Sequence, residues 1–238
     1  MQAFLAILRY DLGLLTRSWI TRIWVPLLIA PALFLVAVAA NEDELASETL
    51  AIYLTAVLIP ISGLAVAVLA SSAVSGEAGI IADGILSRSV TRTEYIAAKV
   101  VSRLGFTTAI YLLVMIPFAY LIIRYAAPDT SLGGVAVGLL IVCLLLTFLG
   151  ALGITFSTLF SNVLLAVLGL LLVMVLSGFV LQFLGLTWMS STAVVTALPG
   201  TFRGETPIWD LVRVFLVFTS LTAAAIMTSF WVFRERDL

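Results

Sequence analysis

The chain has 238 residues, of which 63% are hydrophobic and 11% are charged, and its mean hydropathy is +1.23. Soluble domains contain about 45–50% apolar and about 25% charged residues, so this composition excludes an ordinary soluble domain and indicates an integral membrane protein. The net charge of −1 offers no basic field for nucleic-acid phosphates, and the absence of histidine excludes His-dependent catalysis and most metal sites.

The first predicted element is an amphipathic helix over residues 1–20. Arg9 and Arg17 lie opposite an apolar stripe that recurs every three or four positions, with Asp11 near its edge. We expect this helix to lie on the cytoplasmic leaflet with its last aromatic ring at headgroup depth. The stripe consists of Phe4, Leu8, Leu12, Leu15 and Trp19.

Six later stretches are long and apolar enough to cross a bilayer, which needs about 20 residues of helix. The sequence therefore predicts an all-α membrane protein with one transmembrane domain over residues 1–238. The predicted spans are approximately Ile23–Ala40, Leu50–Val74, Ala97–Ile123, Leu132–Phe160, Val163–Leu184 and Leu211–Phe233.

The first span has an alternative interpretation as a cleaved signal peptide, because Ala37 and Ala39 are small residues before a possible cleavage point. The region before it is too long for that interpretation, and the apolar run contains Pro26 and Pro31. An uncleaved span is preferred.

The orientation follows from the positions of lysine and arginine, which are enriched on the cytoplasmic side of membrane proteins. With both termini in the cytoplasm, nine of the twelve basic residues are inside and three are outside. The inside set is Arg9, Arg17, Arg22, Arg88, Arg92, Lys99, Arg103, Arg234 and Arg236, and the outside set is Arg124, Arg203 and Arg213.

Residues 185–210 form the one sizeable predicted outer segment, and they are too apolar for a free loop. Within "SSTAVVTALPG", Ser190 or Ser191 is expected to cap a short helix that stops at Pro199–Gly200. We expect the segment to cap the outer face; the alternative is a disordered loop.

Charge, glycine and a helical pattern are concentrated in "GEAGIIADGILSRSVTRTEYIAAKVVSRL", residues 76–104. This segment resembles the link between spans two and three in the permease subunit of type-2 ATP-binding-cassette (ABC) exporters, which reads as an acidic residue, Gly-Thr, then "LLSRPVSR.EY..GK". Ile80 and Ser89 stand where Thr and Pro are common. The matching residues are Glu77, Gly79, Arg88, Thr91, Arg92, Glu94, Tyr95 and Lys99.

The resemblance implies that residues 75–96 are a cytoplasmic coupling link. Two permeases would pair, as a homodimer or with a paralogue, above two separate ATPase subunits that bind ATP and Mg²⁺. This chain would bind no cofactor itself, and it has no GxxxxGK[ST] phosphate loop. The resemblance places the ATPase-coupling surface on Glu77, Gly79, Arg88, Arg92 and Glu94. In the alternative, these basic residues only fix the topology, and Lys99 and Arg103 extend to the interface.

The spans carry no charged residue near their middles, which disfavours an ion-driven carrier. Their polar groups include Tyr111 and Gln182, near Met115, Met174 and Phe179, and suit a hydrophobic or amphipathic substrate that is moved outward. Alternatively, these groups serve helix packing, as Gly134-x-x-x-Gly138 would. The sequence singles out no substrate-binding residue.

Two other functions compete with transport. An intramembrane enzyme would need a nucleophile–base pair or paired carboxylates within the bilayer, and the spans offer neither. A scaffold subunit of a membrane complex, without an energy source, stays open as the second alternative.

Overall fold

A computed structural model of the chain describes residues 2–77, 91–186 and 190–235, and over these ranges it contains helices and no β-strand. Six of the described helices are long and apolar enough to cross a membrane. The protein is thus an all-α, multi-pass membrane protein, as predicted. Its helices are α1 (Gln2–Arg17), α2 (Trp19–Glu42), α3 (Ala46–Ser71), α4 (Arg92–Tyr125), α5 (Leu132–Leu159), α6 (Val163–Phe183), α7 (Ser191–Thr196), α8 (Leu198–Arg203) and α9 (Ile208–Glu235).

Helix α5 is the centre of the bundle and packs against α3, α4, α6, α8 and α9. Small residues on α5 allow these close approaches. A Cβ atom built on Gly153 would lie 2.7 Å from the Cβ of Ala70 on α3, and one on Gly150 would lie 2.7 Å from Leu104 on α4. Glycine is needed at position 153, because the Cβ of Ala70 is fixed to its backbone, whereas at position 150 the Leu104 side chain would have to move to admit a Cβ atom.

Helix α3 contains a π-helical turn at Tyr53–Leu58, which ends two residues before Pro60. Proline has no N–H to donate to the preceding turn, and here the amide of Ile59 bonds to the carbonyl of Leu54 instead. The Tyr53 hydroxyl donates to the carbonyl of Leu28 at 3.0 Å. This bond fixes α3 to α2 inside the apolar bundle.

The two ends of the bundle differ in what they bring together. At one end, Ile7 of α1 packs against a cluster that contains Val74, Tyr95 and Phe233. We call this the charged end, because α1, both flanks of residues 78–90 and the end of α9 meet there. At the opposite end, the amide of Ser131 donates to the carbonyl of Phe202 at 2.9 Å.

This opposite end, the cap end, is covered by α7 and α8. Ser190 caps α7, as predicted, by accepting a hydrogen bond from the amide of Ala193 at 3.1 Å. The predicted stop at Pro199–Gly200 is wrong, because α7 ends at Thr196 and α8 runs through both residues to Arg203. Gly204 is the C-cap of α8, with a φ of +83°. Proline is tolerated there because it stands in the first turn of α8, where its missing N–H would have no acceptor.

Candidate functional site

The predicted coupling residues are divided by the limits of the described structure. Gly79 and Arg88 lie outside the described residues. Of Glu77 the structure describes the backbone, which closes a 3₁₀ turn at Ser75–Glu77. Arg92 and Glu94 are described, and both stand in the first turn of α4.

The start of α4 is a capping box. The amide of Glu94 donates to Thr91 Oγ1 at 3.2 Å, and the amide of Thr91 donates to Glu94 Oε2 at 3.3 Å. Two amides that have no acceptor within the helix are satisfied in this way. Glu94, predicted as a coupling residue, therefore has a structural role in setting where α4 begins.

Arg92 connects the start of α4 to the C-terminal helix. Its Nη1 atom donates to the carbonyl of Arg234 at 2.9 Å. The last carbonyls of a helix lack donors within the helix, and a cation at this position also opposes the negative end of the helix dipole. The contact brings the end of α9 to the edge of residues 78–90.

The exit from α3, on the other flank of the same segment, is also fixed. The Ser157 hydroxyl oxygen accepts hydrogen bonds from the amides of Val74 at 2.8 Å and Ser75 at 3.0 Å. Ser157 is buried on α5. The backbone on each side of residues 78–90 is therefore hydrogen-bonded to the rest of the bundle.

A buried ion cluster joins α1 and α4. It consists of Asp11, Lys99, Ser102 and Arg103. Asp11 Oδ1 accepts from Lys99 Nζ at 2.8 Å and from Arg103 Nη2 at 3.1 Å. Asp11 Oδ2 accepts a short hydrogen bond from the Ser102 hydroxyl. The side chains of Asp11 and Lys99 are 0% exposed, so charges rather than apolar contacts join α1 to α4 at this point.

The ion cluster corrects two expectations. Asp11 lies within the buried face of α1 and not at the edge of an apolar stripe, and Lys99 and Arg103 do not extend to the interface. Opposite charges and hydrogen bonds compensate the burial that an isolated charge would not tolerate. Two features signalled this: a carboxylate spaced with Leu8 and Leu15 on one face of α1, and two cations four residues apart on α4.

The predicted apolar stripe of α1 packs against protein over most of its length. Leu15 is buried, and Phe4, Leu8 and Leu12 are half-buried. Leu15 belongs to the hydrophobic core of the bundle, and Leu12 packs against that core. Trp19 does not belong to this helix, because α1 ends at Arg17 and the extended backbone of Ser18 separates the two helices. Trp19 begins α2 and is 72% exposed.

The residues considered for substrate contact fall into two groups. Tyr111 and Met115 are buried in the core, and the Tyr111 hydroxyl donates to the carbonyl of Leu139 at 2.7 Å, so both serve packing. Met174, Phe179 and Gln182 are exposed on α6. Together with Ser190 and Thr196, the last two line a groove of about 430 Å³ between α6 and α7.

A comparison of the chain with protein-family models and with curated proteins found no match. Among the described residues, no group of three or more His, Cys, Asp or Glu side chains could hold a metal ion. The residue pattern at the charged end and the geometry around it are the features that point to a function.

Proposed function

We propose that the chain is the permease subunit of an ABC exporter of the type-2 family and works with a separate ATPase. The main observation in its support is the set of hydrogen bonds at the charged end. Both flanks of residues 78–90 are fixed there, by Ser157 on one side and by the capping box and Arg92 on the other. A segment held in this way is suited to transmit force from a soluble partner to the spans.

The residue pattern supports the same proposal. Residues 85–99, "ILSRSVTRTEYIAAK", are similar to the coupling link of that family, and in the structure "TRTE" is the capping box that begins a span. Glu77, Gly79, Arg88 and Arg92 form the proposed contact surface, and Glu94 shapes it through the cap. ATP and Mg²⁺ would be bound by the ATPase.

The proposed location is the cell membrane, with both termini in the cytoplasm. The excess of basic residues on the side of the charged end supports this orientation. The proposed complex contains two ATPase subunits and a second permease, identical or a paralogue. Helix α6 leaves a long apolar face for lipid or for such a neighbour, because Ala166 and Leu170 are its only buried residues.

The proposed substrate is hydrophobic or amphipathic. The described spans have no charged residue near their middles, and the groove beside α6 combines the ring of Phe179 with the amide of Gln182 and hydroxyl groups. Such a lining suits a molecule with one apolar and one hydrogen-bonding part.

The test is purification of the tagged chain from its native membranes in a mild detergent. We expect an ATPase subunit to elute with it and to show Mg²⁺-dependent ATP hydrolysis. Elution of the folded chain with no ATPase, in two detergents and after chemical crosslinking in the membrane, would contradict the proposal and favour a scaffold subunit.

A further inference from the structure

Asp11 connects one helix to three donors on another. All three donors of the ion cluster stand on α4 between Lys99 and Arg103, a little more than one helical turn. Helix α1 supplies both acceptor oxygens from one carboxylate. A single side chain of α1 therefore accepts hydrogen bonds from all three donors of the ion cluster.

Arg103 extends the connection to a third helix. While its Nη2 atom binds Asp11, its Nη1 atom donates to the carbonyl of Leu69 at 2.9 Å, in the last turn of α3. Helices α3 and α4 flank residues 78–90. Residues 78–90 are connected to the bundle by these two helices, and the ion cluster joins α1 to both of them.

The charges make this connection rigid. Sliding α1 along α4 would separate a buried carboxylate from two buried cations, and an unpaired buried charge is strongly unfavourable. The apolar contacts of Leu12 and Leu15 alone would not fix the position as firmly, because the hydrophobic effect is not directional. The ion cluster therefore determines the register between α1 and α4.

We propose that Asp11 is a positioning residue for energy coupling: it makes α1, α3 and α4 move as one unit when residues 78–90 are displaced. This inference rests on the proposed function, in which the ATPase causes the displacement. Without the carboxylate, the ATPase would still bind, but its movement would no longer be transmitted to the N-terminal helix.

The first measurement needs only this chain. Tyr10→Cys and Val101→Cys, in a Cys143→Ala background, place spin labels on exposed positions of α1 and α4. In lipid nanodiscs we expect a single narrow distance by pulsed electron paramagnetic resonance. We expect Asp11→Asn to lose that narrow distance and Asp11→Glu, which keeps the charge, to retain it. A narrow and unshifted distance in Asp11→Asn overturns the proposal.

A second variant covers the case in which Asp11→Asn does not fold. The triple change Asp11→Leu, Lys99→Met and Arg103→Met removes the three charges of the ion cluster together, and apolar replacement of buried ion pairs is often neutral or stabilising. We expect this variant to fold and to show a broad distance. A narrow distance would mean that apolar packing alone positions α1, and would overturn the proposal.

The last measurement separates this inference from the proposed function. With the ATPase bound, we expect Asp11→Asn to retain the subunit but to reduce permease-dependent ATP hydrolysis about fivefold, which corresponds to about 1 kcal/mol of activation free energy. Unchanged hydrolysis overturns the coupling role. If the unmodified chain elutes with no ATPase, the proposed function fails and the coupling role with it, while the distances still decide whether Asp11 positions α1.

Discussion

The ring of Phe202 occupies the space that a side chain on Gly138 would need. A Cβ atom built on Gly138 would lie 2.4 Å from Cε1 of Phe202, which is fully buried in α8. Gly134, one turn earlier, is equally close to the carbonyl of Thr201. The Gly134-x-x-x-Gly138 motif therefore allows α8 to pack closely against α5, and it does not pair two spans.

We expect Gly138→Ala to destabilise the protein by about 1–3 kcal/mol, the usual cost of an added methyl group in a packed core. Gly133→Ala is the matched control, because it lies on the same helix with nothing within 4 Å of a new Cβ. The control should be neutral or slightly stabilising, since alanine favours helix over glycine. Equal thermal unfolding temperatures for the two variants in detergent would contradict the packing role.

A second set of contacts holds the cap end together through Asp129. Its Oδ1 accepts the amide of Ser47 at 2.8 Å, its Oδ2 accepts the Ser47 hydroxyl, and Arg203 Nε lies 3.5 Å from Oδ2. Arg203 Nε also donates to the Ser47 hydroxyl oxygen at 3.0 Å. These bonds connect α3, the α4–α5 loop and α8.

We expect Asp129→Asn to lower the free energy of unfolding by about 1–3 kcal/mol, because the buried donors of Ser47 lose a charged acceptor. Asp210→Asn is the control: its ion pair with Arg213 is half exposed, so the same change should cost about 0–1 kcal/mol. Thermal unfolding at equal protein and detergent concentration measures both. If Asp210→Asn loses as much unfolding free energy as Asp129→Asn, the contacts of Asp129 contribute no more to stability than an exposed ion pair does.

The sequence predicted the spans well because the length of a membrane span is set by bilayer thickness. The fifth span was expected at Val163–Leu184 and is found at Val163–Phe183. The third begins earlier than predicted, at Arg92 instead of Ala97. An apolar run marks where a helix enters lipid, whereas the start of α4 is set by the capping box and by the ion cluster that stabilises its charged first turns.

The ion cluster could not be predicted in the same way. Asp11 and Lys99 belong to segments far apart in the chain, and their contact depends on how α1 folds back onto α4. Periodicity identifies the buried face of one helix but not its partner. The pattern "TRTE" is typical of a capping box and indicates a local role for Glu94, whereas the resemblance to the coupling link indicates a binding role.

We therefore expect Glu94 to act mainly through the cap. Glu94→Ala should raise hydrogen-exchange rates at the first amides of α4, consistent with a loss of about 0.5–1.5 kcal/mol for the hydrogen bond. Glu94→Gln keeps an acceptor for the amide of Thr91 and should exchange as the unmodified protein does. If Glu94→Gln exchanges normally but loses the ATPase subunit, the charge itself contacts the partner and the cap is not its main role.

The proposed orientation can be tested by cysteine labelling in a Cys143→Ala background. Glu42 at the end of α2 and Thr93 at the start of α4 are both exposed and lie at opposite ends of the bundle. In intact cells, Glu42→Cys should react with a membrane-impermeant maleimide, and Thr93→Cys should react only after permeabilisation. The reverse pattern would place the charged end outside and would exclude contact with a cytoplasmic ATPase.

The strongest test of the proposed function is the removal of Arg88 and Arg92 together. If both contact acidic groups of the ATPase across a partly desolvated interface, the loss of either should weaken docking by about 2–5 kcal/mol, much of it from the partner charge left unpaired. Arg92 also donates to the carbonyl of Arg234, so part of its effect would come from a displaced α9.

The matched control for this double variant is Arg124→Ala with Arg213→Ala, since both residues are exposed and lie at the opposite end of the bundle. Each double variant is purified in detergent, checked for folding by its unfolding temperature, and measured for retained ATPase subunit and for ATP hydrolysis. We expect retention to fall in Arg88→Ala, Arg92→Ala and to stay normal in the control. If both variants retain the ATPase equally, the basic residues of the charged end serve membrane topology, and the ATPase must contact another part of the chain.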